Sequence, residues 1–243
     1  MGITMEKIIT FEKLTNFTFT NHPDVKGPIR GIVLNFYGLG ANSMRQEAPK
    51  QSGFFAENGV LYLEPYYNPW SWMNDEAVAY VDELLDVIFD HFALPDNTPV
   101  ISTGFSMGGL SSLVYARYAK RTPKAVVSNC PVCDLVYHYT ERDDLPRTLY
   151  SAFRHYDMPL NEALKTASPL HLVPDMPDIP YHIFHCGEDR AVNIDRHSRT
   201  FVRAMKELNR NVILRICEGR GHCDLTPEMM AEYWQTCLDE INR

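Results

Sequence analysis

The sequence contains no long hydrophobic run and no segment typical of a secretory leader. Polar residues interrupt its apolar stretches within a few positions, well short of the roughly 20 apolar residues that a membrane-spanning helix needs. Residues 1–13 mix acidic and basic side chains, whereas a signal peptide requires an uninterrupted apolar segment. We therefore expect a cytoplasmic protein that does not insert into a membrane.

Cysteine is scarce and irregularly spaced. Six cysteines among 243 residues are too few for a disulfide scaffold, so free thiols are predicted. Cys130 and Cys133 have C-x-x-C spacing, but this motif closes a predicted strand instead of opening a helix. The sequence also lacks paired zinc-ligand spacing, a phosphate-binding loop and a dinucleotide fingerprint. These absences predict a protein that uses no metal and no cofactor.

Positive charge is also in deficit. The chain has 23 Lys and Arg residues against 31 Asp and Glu residues, a net charge of −8, and its basic residues are dispersed. Nucleic-acid binding normally requires a basic patch, so no nucleic-acid partner is expected. Repeats, low-complexity tracts and flexible linkers are absent, while the 45% hydrophobic content suffices for a sizeable core. We expect a single domain over residues 1–243.

Short apolar runs alternate with amphipathic stretches along the chain. The runs are hydrophobic on both faces, which is typical of strands in a parallel sheet, and the amphipathic stretches have helical spacing. The clearest helix follows a predicted cap at Asn74 and repeats Val78, Val81 and Leu85 on one face. The predicted strands are 29–36, 59–65, 99–105, 124–131, 181–187 and 211–218, and the predicted helices are 75–92, 110–120, 195–208 and 227–241. This order predicts an α/β fold with a mostly parallel sheet and helices on both faces.

One long segment, residues 132–178, separates two of the predicted strands. It contains mixed charges and aromatic side chains. We interpret it as a helical cap insertion over the carboxyl edge of the sheet, where ligands bind in open α/β folds. A long surface connection is the alternative.

The strongest motif surrounds Ser106. Gly104, Ser106 and Gly108 form a G-x-S-x-G sequence between a predicted strand and a predicted helix. Glycine on both sides permits a very sharp turn, which exposes the serine hydroxyl above the sheet. This pattern predicts that Ser106 is a catalytic nucleophile.

In this motif and its setting the chain resembles the α/β-hydrolase superfamily. Within that superfamily it is similar to small single-domain serine esterases related to prolyl oligopeptidase and dienelactone hydrolase. The resemblance implies a nucleophile, acid, histidine order along the chain. His222, in a glycine-rich turn before the last predicted helix, is then the general base. Asp189, in the loop after strand 181–187, is the favoured acid, and Asp134 is its competitor because some superfamily members place the acid after an earlier strand.

The resemblance also implies an oxyanion hole of two backbone N–H groups. One comes from Met107, directly after the nucleophile. The other is expected from Leu39, because Tyr37-Gly38-Leu39-Gly40 resembles the superfamily's His-Gly-x-Gly signature, with tyrosine in place of its histidine.

Aromatic residues near predicted strand ends suggest a substrate pocket. A loop with four aromatic side chains follows strand 59–65, and a hydrophobic plug over a helix end is an equally good interpretation of it. Several insertion residues could contact substrate, although most of them are assigned to a solvated face: Tyr137, His138, Tyr139, Arg142, Arg147, Arg154 and His155. The candidate pocket residues are Tyr37, Trp70, Trp72, Tyr137 and His138.

Together these residues predict a serine hydrolase that cleaves carboxylic esters with a small acyl or aryl-acyl group through an acyl-enzyme on Ser106. A small-molecule ester is the expected partner. A peptidase is the near alternative, although 243 residues leave no room for the propeller that the larger peptidases carry. A thioesterase, a lyase that uses the triad only as a base, and a non-catalytic binding protein are the others.

Overall fold

The computed structural model describes residues 8–41 and 43–243. The prediction about a leader concerns mainly residues 1–7, which lie outside the described residues. Among the described residues, no helix combines the length and the apolar character that crossing a bilayer requires.

A seven-stranded sheet forms the centre of the described chain. Its spatial order is β1-β3-β2-β4-β5-β6-β7, and all neighbouring strands are parallel except β1, which is antiparallel to β3. The mostly parallel sheet and all six predicted strands are confirmed. The strands are β1 Thr18–Thr20, β2 Gly31–Phe36, β3 Val60–Pro65, β4 Val100–Phe105, β5 Ala125–Asn129, β6 Tyr181–Cys186 and β7 Val212–Cys217.

Helices connect most of these strands. In the described residues they are α1 Lys50–Glu57, α2 Asp75–Phe92, α3 Met107–Tyr118, α4 Leu135–His138, α5 Leu145–Phe153, α6 Leu160–Thr166, α7 Pro169–Leu172, α8 Thr200–Glu207 and α9 Pro227–Asn242. Short 3₁₀ turns lie at Phe11–Asn16, His22–Asp24 and Val173–Asp175, and a π-helical turn at Asp195–Arg199 leads into α8.

The sheet separates two hydrophobic cores. On β2, Ile32 and Leu34 face one core and Val33 faces the other, as the two-residue period of a strand requires. Helices α2, α3 and α8 pack into the first core, and α1 and α9 pack into the second. Helices therefore cover both faces of the sheet, as the alternating pattern predicts.

Helix α2 begins and ends where the sequence indicates. The Asn74 side chain accepts a hydrogen bond of 3.1 Å from the N–H of Ala77, which confirms the predicted cap. Val78, Val81 and Leu85 are buried on one face. The helix ends at Phe92, and Ala93 then adopts a left-handed φ of 48°, which breaks the helical path.

Two elements and one boundary differ from the sequence prediction. Strand β1 has only three residues, too few to show a period-two pattern. Helix α1 was not predicted because it is short, contains Gly53 and starts after a proline. The stretch predicted as one helix at 195–208 starts with a π-helical turn before α8.

The residues between β5 and β6 form helices α4 to α7, so the helical character predicted for 132–178 is confirmed. The direction in which successive strands are added to the sheet reverses between β2 and β4. From β2 it moves outward to β3, whereas from β4 it moves the other way through β5, β6 and β7. The crevice beyond the carboxyl ends of β2 and β4 is the usual place for a ligand in such sheets.

Candidate active site

Ser106 lies in the sharp turn between β4 and α3. Its φ of 59° is in the left-handed region, which is strained for a residue with a side chain. A Cβ on Gly104 would lie 2.2 Å from the carbonyl oxygen of Gly108, and a Cβ on Gly108 would lie 2.1 Å from that of Phe36. Both flanking positions therefore require glycine, and the turn presents the serine at the carboxyl edge of the sheet.

Ser106, His222 and Asp189 form a continuous chain of hydrogen bonds. His222 Nε2 lies 2.8 Å from Ser106 Oγ, and His222 Nδ1 lies 2.6 Å from Asp189 Oδ2. Ser106 follows β4, Asp189 follows β6, and His222 lies between β7 and α9. Because parallel strands end at one edge of the sheet, residues separated by 116 and 33 positions meet there.

The Asp189 carboxylate is buried and well supplied with hydrogen-bond donors. Its Oδ1 accepts bonds from the N–H groups of Ala191 at 2.8 Å and Val192 at 2.9 Å. Burial by itself raises the pKa of Asp189, but the donors His185, His222 and the Val192 N–H outweigh burial and hold this pKa well below its usual range. The carboxylate is therefore ionised at neutral pH.

The His222 imidazole is a stronger base than a free histidine. Its burial disfavours the charged form, but interactions with Asp189 first and with Cys130 second favour that form more, and the pKa of His222 rises to about 9. The side chain is 29% exposed, whereas that of Asp189 is fully buried. The imidazole is thus anchored on its Nδ1 side and open toward Ser106 on its Nε2 side.

His185 supports Asp189 from behind. Its Nε2 lies 3.0 Å from the Val192 carbonyl oxygen, and its Nδ1 lies 2.7 Å from Ser198 Oγ. Because a carbonyl can only accept, Nε2 carries the proton and Nδ1 accepts from the hydroxyl. The same Nε2 is 3.4 Å from Asp189 Oδ2. His185 is therefore a buried histidine with both nitrogens paired.

Asp134, the alternative acid, has a different function in the fold. Its Oδ1 accepts a hydrogen bond of 3.0 Å from the N–H of Tyr137 and caps α4. The carboxylate bonded to His222 belongs to Asp189. The geometry favours Asp189 as the acid.

The two predicted oxyanion-hole residues lie next to Ser106. Met107 is the first residue of α3, directly after the serine, and Leu39 lines the same cavity as Ser106 together with Gly38 and Gly40. Among the described residues, no group accepts a hydrogen bond from the N–H of Leu39 or of Met107.

Comparison with known proteins places this site in a family. The model of the prolyl oligopeptidase family matches residues 76–239, which include Ser106, Asp189 and His222. The chain belongs to the prolyl oligopeptidase family. The resemblance inferred from the G-x-S-x-G motif is thereby confirmed. A search of curated proteins gave no significant match.

Solved structures show that this family member has the α/β-hydrolase fold. It superposes on the Pyrococcus horikoshii acylaminoacyl peptidase with a TM-score of 0.68 and 17% identity, covering 90% of this chain and 37% of that one. An esterase from Thermogutta terrifontis with propionate bound gives 0.65 and 19%, covering 91% and 87%. Esterase PE8 gives 0.60 and 15%, covering 88% and 94%. The chain thus spans just over a third of the peptidase and most of each esterase.

A cavity of about 590 Å³ opens above Ser106 in this prolyl oligopeptidase family member. Trp70, Phe105 and Thr148 contribute to its walls, and His222 and Cys223 lie beside the serine. The insertion between β5 and β6 supplies part of the rim, since Thr148 belongs to α5. The volume is within the usual range for small-molecule sites.

Two arginines that the sequence interpretation assigned to a solvated face also line this cavity. Arg142 forms a two-point ion pair with Asp144, at 3.0 and 2.6 Å. The Arg147 guanidinium lies 5.3 Å from the centre of the Trp70 ring. Both arginines are exposed to solvent, and the fold of the insertion places them at the cavity.

Of the five predicted pocket residues, Trp70 alone lines the Ser106 cavity within residues 8–41 and 43–243. Trp72 is buried, and its Nε1 donates to Thr148 Oγ1 at 3.1 Å, so it is the plug of the alternative interpretation. Tyr37 is directed to a neighbouring cavity and bonds the Glu64 carbonyl. Tyr137 packs near Arg196, and His138 is buried against Glu141. These four side chains lie away from the Ser106 cavity because local sequence does not indicate which way a loop side chain points.

Proposed function

We propose that this protein is a serine hydrolase that cleaves carboxylic esters through an acyl-enzyme on Ser106. The observation that supports this most directly is the unbroken hydrogen-bond chain from Ser106 Oγ through His222 to the buried Asp189 carboxylate. A nucleophile, a base and an orienting carboxylate in this arrangement are the requirements for nucleophilic acyl transfer.

The proposed reaction has two steps. His222 Nε2 takes the Ser106 proton as Oγ attacks the ester carbonyl, and the resulting imidazolium returns that proton to the leaving alcohol. The N–H groups of Leu39 and Met107 bind the negative oxygen of the tetrahedral intermediate. In the second step His222 activates water, which attacks the acyl-enzyme and releases the carboxylic acid. Asp189 fixes the imidazole tautomer and stabilises its charged form throughout.

The cavity supports a small acyl or aryl-acyl substrate. Its volume of about 590 Å³ and its Trp70 and Phe105 walls suit a compact apolar group. The esterases named above, which have a similar fold and comparable length, also support ester hydrolysis. We further propose that the described chain forms a single domain in which residues 132–178 act as a cap, and that the protein is cytoplasmic, because its six cysteines are free thiols.

Peptidase activity is the second candidate, and the family match is the observation that favours it. Hydrolysis of an amide uses the same nucleophile, base and oxyanion hole but needs a more demanding proton transfer to the leaving amine. A thioesterase would use the same groups.

The deciding experiment compares substrate classes on one preparation. We expect hydrolysis of p-nitrophenyl esters of graded chain length, with slower or no release of p-nitroaniline from aminoacyl p-nitroanilides. Faster cleavage of the anilides would assign a peptidase, and preference for acyl thioesters would assign a thioesterase. Ser106→Ala serves as the control for background hydrolysis.

A second experiment distinguishes the hydrolase from a lyase or a binding protein on the same fold. We expect a fluorophosphonate probe to label Ser106, and mass spectrometry of a rapidly quenched ester reaction to show an acyl adduct on the same residue. Labelling without an adduct during turnover would favour a lyase. Absence of labelling would favour a binding protein.

A further inference from the structure

Two cysteines that are far apart in the sequence lie beside His222. Cys223 Sγ is 3.6 Å from His222 Nε2. Cys130 comes directly after β5, next to Asn129, whose carbonyl accepts the N–H of Ser106. One ligand atom each from Cys130, His222 and Cys223 lies within 4.8 Å of the other two. Two thiols and an imidazole therefore converge next to the proposed nucleophile.

We propose that Cys130, Cys223 and His222 form a zinc-binding site, and that zinc bound there inhibits the enzyme. Thiolate and imidazole are the ligands that zinc prefers in proteins, and two cysteines with one histidine leave a fourth position for water. Zinc bonds of about 2.3 Å to sulfur and 2.0–2.1 Å to nitrogen, at a tetrahedral angle, place those two atoms about 3.5 Å apart. The observed separation of 3.6 Å between Cys223 Sγ and His222 Nε2 matches this value.

The surroundings of the three ligands suit a metal ion. A histidine ligand commonly bonds a carboxylate through its other nitrogen, and His222 Nδ1 bonds Asp189 at 2.6 Å. The N–H of Cys186 is 3.4 Å from Cys130 Sγ and could donate a hydrogen bond to a zinc-bound sulfur there. The second ring nitrogen and one of the two sulfurs thus already have the partners that orient metal ligands.

The ion can reach this site from the substrate cavity. His222 and Cys223 line that cavity, while Cys130 is completely buried behind them. Zinc would replace the thiol protons of Cys130 and Cys223 and, below the His222 pKa of about 9, the proton on His222 Nε2 as well. These protons leave to solvent, and no group is oxidised or reduced. The Nε2 lone pair would then bind zinc, so it could no longer accept the Ser106 proton. The inhibition part of the proposal rests on the proposed hydrolase function, whereas zinc binding does not.

The test uses the full chain and a readout that is independent of the substrate. Cobalt(II) is added to the metal-free, reduced protein, and thiolate ligation is followed by the near-ultraviolet charge-transfer band between sulfur and cobalt. We expect one cobalt ion per chain, and loss of the band when zinc is added. No band and no zinc uptake in equilibrium dialysis would overturn the proposal.

Matched variants locate the site. Cys223→Ala removes the partly exposed ligand and should weaken zinc binding by about 100-fold or more. Loss of a residue that only supports a ligand already weakens metal binding by about 10- to 100-fold, so loss of the ligand itself should cost at least as much. Cys130→Ala should do the same. Cys133→Ala, the neighbouring buried cysteine of the C-x-x-C pair, is the control and should bind like the original protein. Circular dichroism establishes that each variant is folded, and because Cys223 is only partly buried, its variant keeps the test decisive if Cys130→Ala does not fold.

The consequence for activity is measured as the rate of fluorophosphonate labelling of Ser106, with and without zinc, each variant relative to its own metal-free rate. We expect zinc to suppress labelling of the original protein and of Cys133→Ala, a chelator to restore it, and Cys223→Ala to be insensitive. Labelling that is equally zinc-sensitive in Cys223→Ala would overturn the assignment of the ligands. A cobalt band without any labelling would support the zinc site and reject the proposed hydrolase. Labelling without a cobalt band would reject the zinc site and support the hydrolase.

Discussion

Two groups of histidine and carboxylate side chains in this molecule make similar contacts but differ in what they leave free. At the sheet edge, Asp189 binds His222, whose second nitrogen faces Ser106 and the cavity. In the second group, Glu141 Oε2 lies 2.6 Å from His138 Nδ1 and 2.9 Å from His197 Nε2. A carboxylate beside an imidazole therefore does not by itself distinguish catalysis from structure.

The difference lies in the remaining nitrogen. His197 Nδ1 accepts the N–H groups of Cys133 and Asp134, both at 3.1 Å, so its Nε2 proton is committed to Glu141. This imidazole is fully buried, and both of its nitrogens are occupied by these partners. In contrast, His222 Nε2 lies 2.8 Å from Ser106 Oγ and 3.6 Å from Cys223 Sγ, and the Cys130 thiol is also close to this imidazole. The first arrangement ties the insertion to the π-helical turn that precedes α8, and the second leaves His222 Nε2 facing Ser106 and the cavity.

The largest effect is expected from removing the nucleophile of the sheet-edge group. Ser106→Ala should reduce kcat by about 10⁴ to 10⁶, because the remaining groups can bind but cannot form an acyl-enzyme. Its melting temperature should stay close to that of the original protein, since the hydroxyl contributes little packing. Steady-state ester hydrolysis and thermal melts measure both quantities. Activity retained by this variant would disprove the mechanism.

Neutralising one carboxylate in each group tests the comparison directly. Asp189→Asn should lower kcat by about 10⁴, because the amide favours the wrong imidazole tautomer. Glu141→Gln should leave kcat within a few-fold but lower the free energy of unfolding by about 1–3 kcal/mol, because its one carbonyl oxygen cannot accept from both the two histidines and the Asn193 N–H. Asp134→Asn should have little effect on kcat, since asparagine also caps helices. A larger loss of activity in Asp134→Asn than in Asp189→Asn would move the acid to Asp134.

The two tryptophans of the loop after β3 form a second matched pair. Trp72 is 1% exposed and Trp70 is 39% exposed. Trp72→Ala should lower the free energy of unfolding by about 3–5 kcal/mol as a core truncation. Trp70→Ala should change stability by only about 0.5 kcal/mol, but shift kcat/KM between neighbouring ester chain lengths by roughly 10-fold or more. Urea denaturation and the ester panel measure the two effects, and an unchanged ester profile in Trp70→Ala would exclude that residue from the acyl pocket.

The smallest effect is a displacement along the pH axis. Only neutral His222 can accept the serine proton, so kcat/KM should rise with pH through the pKa of about 9. Asp189→Asn removes the charge that raises this pKa, and its residual activity should rise at lower pH, toward the ordinary value of 6.5. Glu141→Gln should leave unchanged the pH at which kcat/KM rises.

The free energy of unfolding should fall over the pH range in which kcat/KM rises. The folded protein binds the His222 proton more tightly than the unfolded chain does, so this contribution is complete below pH 6.5 and is lost as pH rises toward 9. Urea unfolding at a series of pH values should show this loss in the original protein and not in Asp189→Asn. An identical loss in both proteins would assign it to another group.

The sequence by itself determined the alternating elements, the nucleophile turn and the three residues that the structure joins by hydrogen bonds. The elements and the turn are local properties, because neighbouring residues show them. Examples are a strand between turns, the helix after Asn74, and Gly104 and Gly108, where a larger residue would clash with backbone. Asp189 and His222 follow from the nucleophile, acid, histidine order that the family resemblance implies, and they can meet because parallel strands end at one edge of a sheet.

Only the tertiary structure decided which side chains reach the cavity. Trp70 and Trp72 are two residues apart, yet one lines the site and the other fills the core, because the loop conformation sets their directions. The insertion directs Arg147 to the cavity and His138 to Glu141 for the same reason. Cys130 lies close to His222 and Cys223 although about ninety residues of chain separate them. No ligand spacing in the sequence indicates this proximity, because it arises from the packing of β5 beside β6 and of the loop before α9.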